Sequence, residues 1–352
     1  MPPSTLMLEE ADFTLPGPIE DGGYKLAFNR YRPKHASAPI AAGQHSQLSL
    51  VVLHSVASHK ETWKPTVEHL FQLQTTAPNK AFAVLEIWAM DSPNHARAGV
   101  LNAALFKDRP EGVSGIQWAR AVQVLLQSGL LAGNRIVAIG HSAGACVMIQ
   151  STEGYPLHEL PYSSFILVEP TMMTREIYQR ALDQDTVLLR AIEVARGRKD
   201  IWPSRAAARE WFSKRLPWRR WDARVLDLYV EYALCDLPTP TYPDRTSGVT
   251  LATTRTQEIS GYSGHEDGFA GLERLVQLCA TIPVHTIFAS NNDMVPEETK
   301  QAIVSESAGR RMKSITTVAD AGHLVVQENP RGLALAIWGI LHIDYAPIAS
   351  RL

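Results

Sequence analysis

Short apolar runs, each closed by turn-forming residues, recur along the chain and are separated by stretches of helical periodicity. Leu48-Ser49-Leu50-Val51-Val52-Leu53, Ala81-Phe82-Ala83-Val84-Leu85-Glu86-Ile87-Trp88, Arg135-Ile136-Val137-Ala138-Ile139, Ser164-Phe165-Ile166-Leu167-Val168 and Ile282-Pro283-Val284-His285-Thr286-Ile287-Phe288-Ala289 predict buried strands, and 313–318 another. Apolar residues recur at helical spacing over 118–126, 143–149, 269–279, 297–307 and 330–343. This strand, helix and strand repetition predicts a mostly parallel sheet covered by helices. Ahead of it, Gly22-Gly23 lies between partly apolar flanks over 12–32 and predicts a leading hairpin. The stretch 33–47, rich in Ala, Ser, His and Pro, reads as an exposed loop.

The rhythm breaks once. From 171 to 262 strands disappear and helical stretches take over at 175–196, 205–215 and 222–234. The chain therefore divides into a first part of the sheet core at 1–170, a helical cap at 171–262 and a second part of the core at 263–352. The cap carries Trp202, Trp211, Trp218 and Trp221 with Arg205, Arg209, Arg215, Arg219 and Arg220. They suit an apolar pocket with a cationic mouth for an anionic carrier such as coenzyme A; equally, the tryptophans can hold the helices together while the arginines face water.

Composition narrows the function classes. A chain of 352 residues can bury a large core. Its formal charge of −2 gives no reason to expect nucleic acid as a partner. Cys146, Cys235 and Cys279 have neither disulfide density nor metal-ligand spacing, and Cys146 reads as a packed residue. No close group of His, Cys and carboxylates and no dinucleotide fingerprint is present, so neither metal nor cofactor is expected. Nor is a signal peptide or transmembrane segment expected. Ser350-Arg351-Leu352 is similar to the serine-lysine-leucine address read by the peroxisomal import receptor.

The candidate chemistry centres on Gly140-His141-Ser142-Ala143-Gly144, which follows one predicted strand and opens one predicted helix. That context fits a Gly-x-Ser-x-Gly nucleophile elbow, where a sharp turn lifts the serine hydroxyl to the carboxyl edge of a sheet. An ordinary strand-turn-helix with a capping serine would look the same locally. The backbone N–H of Ala143, with those of Ser55 and Val56 after an early strand, would form an oxyanion hole. His323, in the loop Asp320-Ala321-Gly322-His323-Leu324, is the expected general base. The acid is open: Asp293 has the common placement after a late strand, Glu169 ends the strand after the elbow, and Asp320 is a third candidate. His54 and His95 read as loop-orienting residues, and His59 and Lys60 as exposed ones, with Trp63 anchoring their loop.

His54, His59-Lys60-Glu61, Trp63, Asp91 with Pro93-Asn94-His95, the elbow, Trp221-Asp222, His323-Leu324-Val325 and the terminal Ser-Arg-Leu together carry a resemblance. The chain resembles the fungal peroxisomal branch of the α/β-hydrolase superfamily, which includes peroxisomal lipase, toxin-biosynthesis proteins and mycophenolic acid acyl-CoA hydrolase. The resemblance implies an α/β-hydrolase fold with an inserted helical cap and a Ser-acid-His hydrolase acting on fatty or polyketide-like acyl groups, sometimes as coenzyme A thioesters. It also strengthens Glu169. Ser55 replaces the usual glycine of the oxyanion loop, and Ala96 the glycine that commonly follows the histidine of the Asp-containing turn. The expected function is hydrolysis of a bulky hydrophobic acyl thioester or ester in fungal secondary metabolism, within a peroxisome. An acyltransferase or cyclase using the same site is the alternative, and a non-catalytic binding protein a third reading.

Overall fold

A computed structural model describes residues 8–34, 46–76, 82–182 and 187–346. The terminal tripeptide and most of the 33–47 loop lie outside the described residues. The strands are β1 (Leu8–Pro16), β2 (Lys25–Pro33), β3 (Ser46–Leu53), β4 (Phe82–Met90), β5 (Arg135–His141), β6 (Ser164–Val168), β7 (Ile201–Trp202), β8 (Leu234–Asp236), β9 (Val249–Leu251), β10 (Val284–Ala289) and β11 (Ser314–Val318). Eight form one sheet in the order β1-β2-β4-β3-β5-β6-β10-β11. The leading hairpin β1-β2 is antiparallel and joins β4 antiparallel, while every pairing from β4 to β11 is parallel.

Alternation along each central strand sends side chains into two separate cores, which is why both faces read as apolar in sequence. Leu48, Leu50 and Val52 of β3, with Val137 and Ile139 of β5, pack under the helices Lys64–Thr76 and Pro330–Tyr345. Val51 and Leu53, with Ala138, Phe165 and Leu167, pack under Gly115–Gln127, Ala143–Gln150 and His265–Cys279. The helix Gly115–Gln127 starts at a capping box of Ser114 and Gln117.

Between β6 and β10 the chain leaves the sheet and builds a third cluster around Trp202, Phe212, Trp218 and Tyr229, against which Trp211 and Trp221 pack. This segment is not all helical, as the sequence had implied. Besides Arg175–Leu182, Val187–Gly197, Arg205–Ser213, Ala223–Tyr232 and Arg255–Ser260 it holds the antiparallel sheet β7-β9-β8. Strands of two or three residues are too short to show an alternation. Of the two readings of the aromatic residues, Trp202 and Trp218 follow the packing one.

A second correction concerns His59 and Lys60, which are fully buried. Lys60 pairs with Glu61 and lies 3.6 Å from Asp91, whose carboxylate also accepts the Lys60 amide at 2.9 Å. His59 meets the other Glu61 oxygen at 3.0 Å, and Asn29 donates to Glu61 at 3.2 Å. Burial pushes the Glu61 carboxyl up, but the His59 hydrogen bond and the Lys60 charge outweigh it and leave its pKa at about 2. These charges tolerate burial because each meets a partner, and the network ties the loop after β3 to β2 and to the end of β4.

Candidate active site

Every sequence-predicted reacting residue sits at the carboxyl edge of the parallel strands: Ser142 after β5, Glu169 after β6, Asp293 beyond β10 and His323 beyond β11. Ser142 turns from strand to helix with φ 57° and ψ −120°, a conformation rarely occupied by a side-chain-bearing residue. The turn exists because its neighbours lack side chains. A Cβ on Gly140 would stand 2.3 Å from the Gly144 carbonyl oxygen, and one on Gly144 would stand 2.6 Å from that of His54. The elbow and the loop after β3 are thereby pressed together, with Ser55 buried and Val56 and Ala143 half-buried beside the serine. Among the described residues, the amides of Val56 and Ala143 donate no intramolecular hydrogen bond.

His323 is held at all four of its polar positions. Its Nε2 accepts from Ser142 Oγ at 3.0 Å, and its Nδ1–H donates to Glu169 Oε2 at 3.1 Å. Its backbone N–H donates to Asp293 Oδ1 at 2.8 Å, and its carbonyl accepts from His141 Nε2 at 2.8 Å. The structure therefore brings Ser142, His323 and Glu169 together and corrects the expectation for Asp293, whose carboxylate clamps the backbone instead of the ring. The physical reason is Gly322: a Cβ there would lie 2.0 Å from Asp293 Oδ2, so the bare glycine lets the carboxylate settle on the peptide. Asp320 is exposed.

Glu169 has further support that the sequence reading missed. Its Oε1 accepts the Ala289 N–H at 2.7 Å and lies 3.2 Å from Lys300 Nζ. Burial pushes this carboxyl up, but the His323 hydrogen bond and charge, the Ala289 amide and Lys300 outweigh it and hold its pKa below the usual carboxylate range. It is accordingly ionised at neutral pH and acceptor-only. That fixes the ring tautomer, with the proton on Nδ1 and the lone pair on Nε2 facing the serine.

The remaining imidazoles around this crevice are structural. His54 Nε2 accepts the Ser92 N–H at 3.0 Å while its Nδ1–H donates to the Ser55 carbonyl at 2.7 Å, bracing the loop that carries Val56. His95 Nε2 accepts the Ala57 N–H at 3.3 Å. Burial drives the pKa of His54 well below its ordinary value and those of His95 and His141 down to about 3. Ser55 keeps a buried hydroxyl without a partner, and Ala96 takes φ 42° with its N–H donated to Thr253 Oγ1 at 3.0 Å. Cys146, on the elbow helix, has its thiol pushed up to about 12 by burial and cannot compete as a nucleophile at neutral pH.

The inserted segment covers this edge. Asp222 N–H donates to the Gln327 carbonyl at 2.8 Å, Asn94 donates to Gln257 at 3.0 Å, and Arg220 reaches within 3.9 Å of Asp293. Ser142 is left only 7% exposed.

Comparison with known proteins agrees with this architecture. The model of the alpha/beta hydrolase family matches residues 50–336. The type I acyl-CoA thioesterase mpaH of Penicillium roqueforti is 26% identical over 222 residues, covering 62% of this chain but 46% of its own length; mpaH' of Penicillium brevicompactum matches to the same extent. The chain thus spans about half the length of these curated relatives. Among solved structures, the peroxisomal alpha-beta-hydrolase Lpx1 of Saccharomyces cerevisiae has a TM-score of 0.75 at 16% identity, covering 98% of this chain and 91% of its own. The thioesterase domain from the curacin biosynthetic pathway has a TM-score of 0.62 at 15% identity, covering 95% of this chain and 99% of its own.

Proposed function

Because the chain belongs to the alpha/beta hydrolase family, we propose that it is a serine hydrolase opening a bulky hydrophobic acyl thioester of the coenzyme A type, or an ester, through an acyl-enzyme. The observation that carries the reading is the continuous path from Ser142 Oγ through both ring nitrogens of His323 to an ionised Glu169. In the proposed sequence Ser142 Oγ attacks the acyl carbon as its proton passes to His323 Nε2, and Glu169 stabilises the imidazolium. The N–H groups of Ala143 and of the Ser55-Val56 loop receive the developing oxyanion. Collapse expels the thiolate or alkoxide, which takes the proton from Nε2. Water then enters and its oxygen bonds the acyl carbon as its proton passes to His323 Nε2; the C–Oγ bond breaks, the proton returns to Ser142 Oγ, and the free acid leaves. Segment 171–262 acts as the cap that encloses the acyl group.

Thioester rather than simple ester is favoured by the relatives described as acyl-CoA thioesterases. The test is a product analysis with purified protein, a panel of bulky acyl-CoA thioesters and matching esters. Free acid carrying one oxygen from labelled water is expected, with CoA thioesters hydrolysed at least tenfold faster than matching esters. Transfer to an added amine or alcohol, or ring closure without label, would reject hydrolysis in favour of a transferase or cyclase.

Location is part of the same reading. Ser350-Arg351-Leu352 matches the peroxisomal address, and one protein of like fold is peroxisomal. A fluorescent protein fused ahead of the chain is expected in peroxisomes and, after removal of the last three residues, in the cytosol. Unchanged distribution would remove the import receptor as a partner.

A further inference from the structure

The inserted segment opens a second concave surface, which the proposed acyl chemistry leaves unused. It is an open cleft of about 520 Å³ lined by Val194, Gly197, Trp211, Arg215, Leu216 and Arg219, with Trp218 at its base. The neighbouring Arg205, Arg209, Arg220 and Arg224 each have a carboxylate within 4.0 Å, whereas Arg215 and Arg219 are exposed and have none among the described residues. These two flank the turn between the helix Arg205–Ser213 and Trp218, and the Arg219 N–H donates to the Arg215 carbonyl at 2.8 Å. A bound polyanion would supply both guanidinia with charge-assisted hydrogen-bond partners.

Arg215 is also pre-positioned. Its guanidinium lies over the Trp211 ring at 4.4 Å and donates to the Trp211 carbonyl at 3.0 Å, which lowers the ordering cost of gripping an anion. The walls are apolar and wet, with Val194 62% and Leu216 53% exposed. A Cβ on Gly197, which shares this lining, would meet nothing within 4 Å, so the surface there is open to a ligand. Arg220, the residue after Arg219, reaches Asp293 and through it the backbone of His323, which puts the cleft on the rim of the catalytic edge.

Two guanidinia beside exposed apolar side chains suit a ligand that is anionic at one end and presents an apolar face at the other. We propose that this cleft holds the phosphorylated adenosine end of a carrier thioester. Its phosphates lie on Arg215 and Arg219, its base lies between Val194 and Leu216 above Gly197, and the carrier arm runs past Arg220 to Ser142. The link to turnover rests on the hydrolase reading above; the binding itself does not.

The intact protein is titrated by calorimetry with adenosine 3′,5′-bisphosphate. Saturable binding is expected, weakening as salt is raised, falling at least tenfold in Arg215→Gln/Arg219→Gln and vanishing in Gly197→Trp, which plugs the slot without a backbone clash. The same acyl group is then supplied on CoA and on N-acetylcysteamine. The double variant should raise KM for the CoA thioester at least tenfold with kcat retained, and leave both constants for the short thioester unchanged. Absence of bisphosphate binding, undiminished binding in the variants, or equal losses on both thioesters overturns the proposal. So does arginine-dependent binding to anionic phospholipid vesicles without bisphosphate binding, which would make the surface a membrane contact. If neither thioester is hydrolysed yet the bisphosphate binds through the two arginines, the hydrolase reading fails while the cleft assignment survives.

Discussion

Ser142→Ala should lower kcat by about 10⁴-fold or more and abolish labelling by a fluorophosphonate probe. Removing the hydroxyl takes away both the attacking atom and the proton that His323 Nε2 accepts, and no neighbouring group can replace them. Cys146 is the nearest chemical substitute by type, but its thiol is buried and held protonated. Weak residual turnover from the backbone donors and substrate binding is expected. The measurement is steady-state hydrolysis alongside intact-mass detection of the acyl-enzyme, with a thermal melt to establish folding. Turnover within about tenfold of the unsubstituted protein would remove Ser142 from the reaction, because loss of an acyl-forming nucleophile costs far more than that.

The second large effect separates the two carboxylates. Glu169→Gln should lower kcat by about 10³- to 10⁴-fold, because a neutral amide can turn its NH₂ toward Nδ1 and favour the wrong imidazole tautomer while stabilising the imidazolium poorly. Asp293→Asn should cost less than about tenfold, since an amide oxygen can still accept the His323 N–H. The two variants share a residue contact, so the double variant tests whether ring and backbone restraints on His323 are coupled. The pH dependence has a definite sign. With Glu169 held below its ordinary value, the stability it contributes is complete above the normal carboxylate range and is lost as pH falls through the lowered folded-state value. Folding measured in acid should therefore become less pH-sensitive in Glu169→Gln. A larger kinetic loss in Asp293→Asn would reverse the assignment of roles.

Much of the sheet was legible because its central strands are buried on two faces and read as unbroken apolar runs; β3, β5, β6 and β10 all fall where those runs predict. The elbow was legible for a different reason, since Gly140 and Gly144 are required by close backbone approach. What could not be read was pairing between distant residues. Asp293 and Glu169 both follow strands, and their separation into a backbone clamp and a ring partner depends on where β10 and β6 end relative to the His323 loop. Gly322 was the available clue, directly preceding the histidine. Lys300 lay hidden in an ordinary helical stretch, and its reach to Glu169 spans 3.2 Å only after the chain has folded. His59-Lys60-Glu61 misled more strongly. Charged triplets belong at surfaces by default, and only Asn29 and Asp91, far away in sequence, make this one tolerable inside.

The depressed proton affinities of His54, His95 and His141 have a consequence for the charge in this crevice. Burial keeps these three rings uncharged at neutral pH, so none of them adds a positive charge beside the serine there. Four imidazoles crowd one cleft, yet only His323 is wired to exchange a proton with a reactant. The others form an uncharged frame, held by backbone and side-chain hydrogen bonds, around the one imidazole that touches the serine.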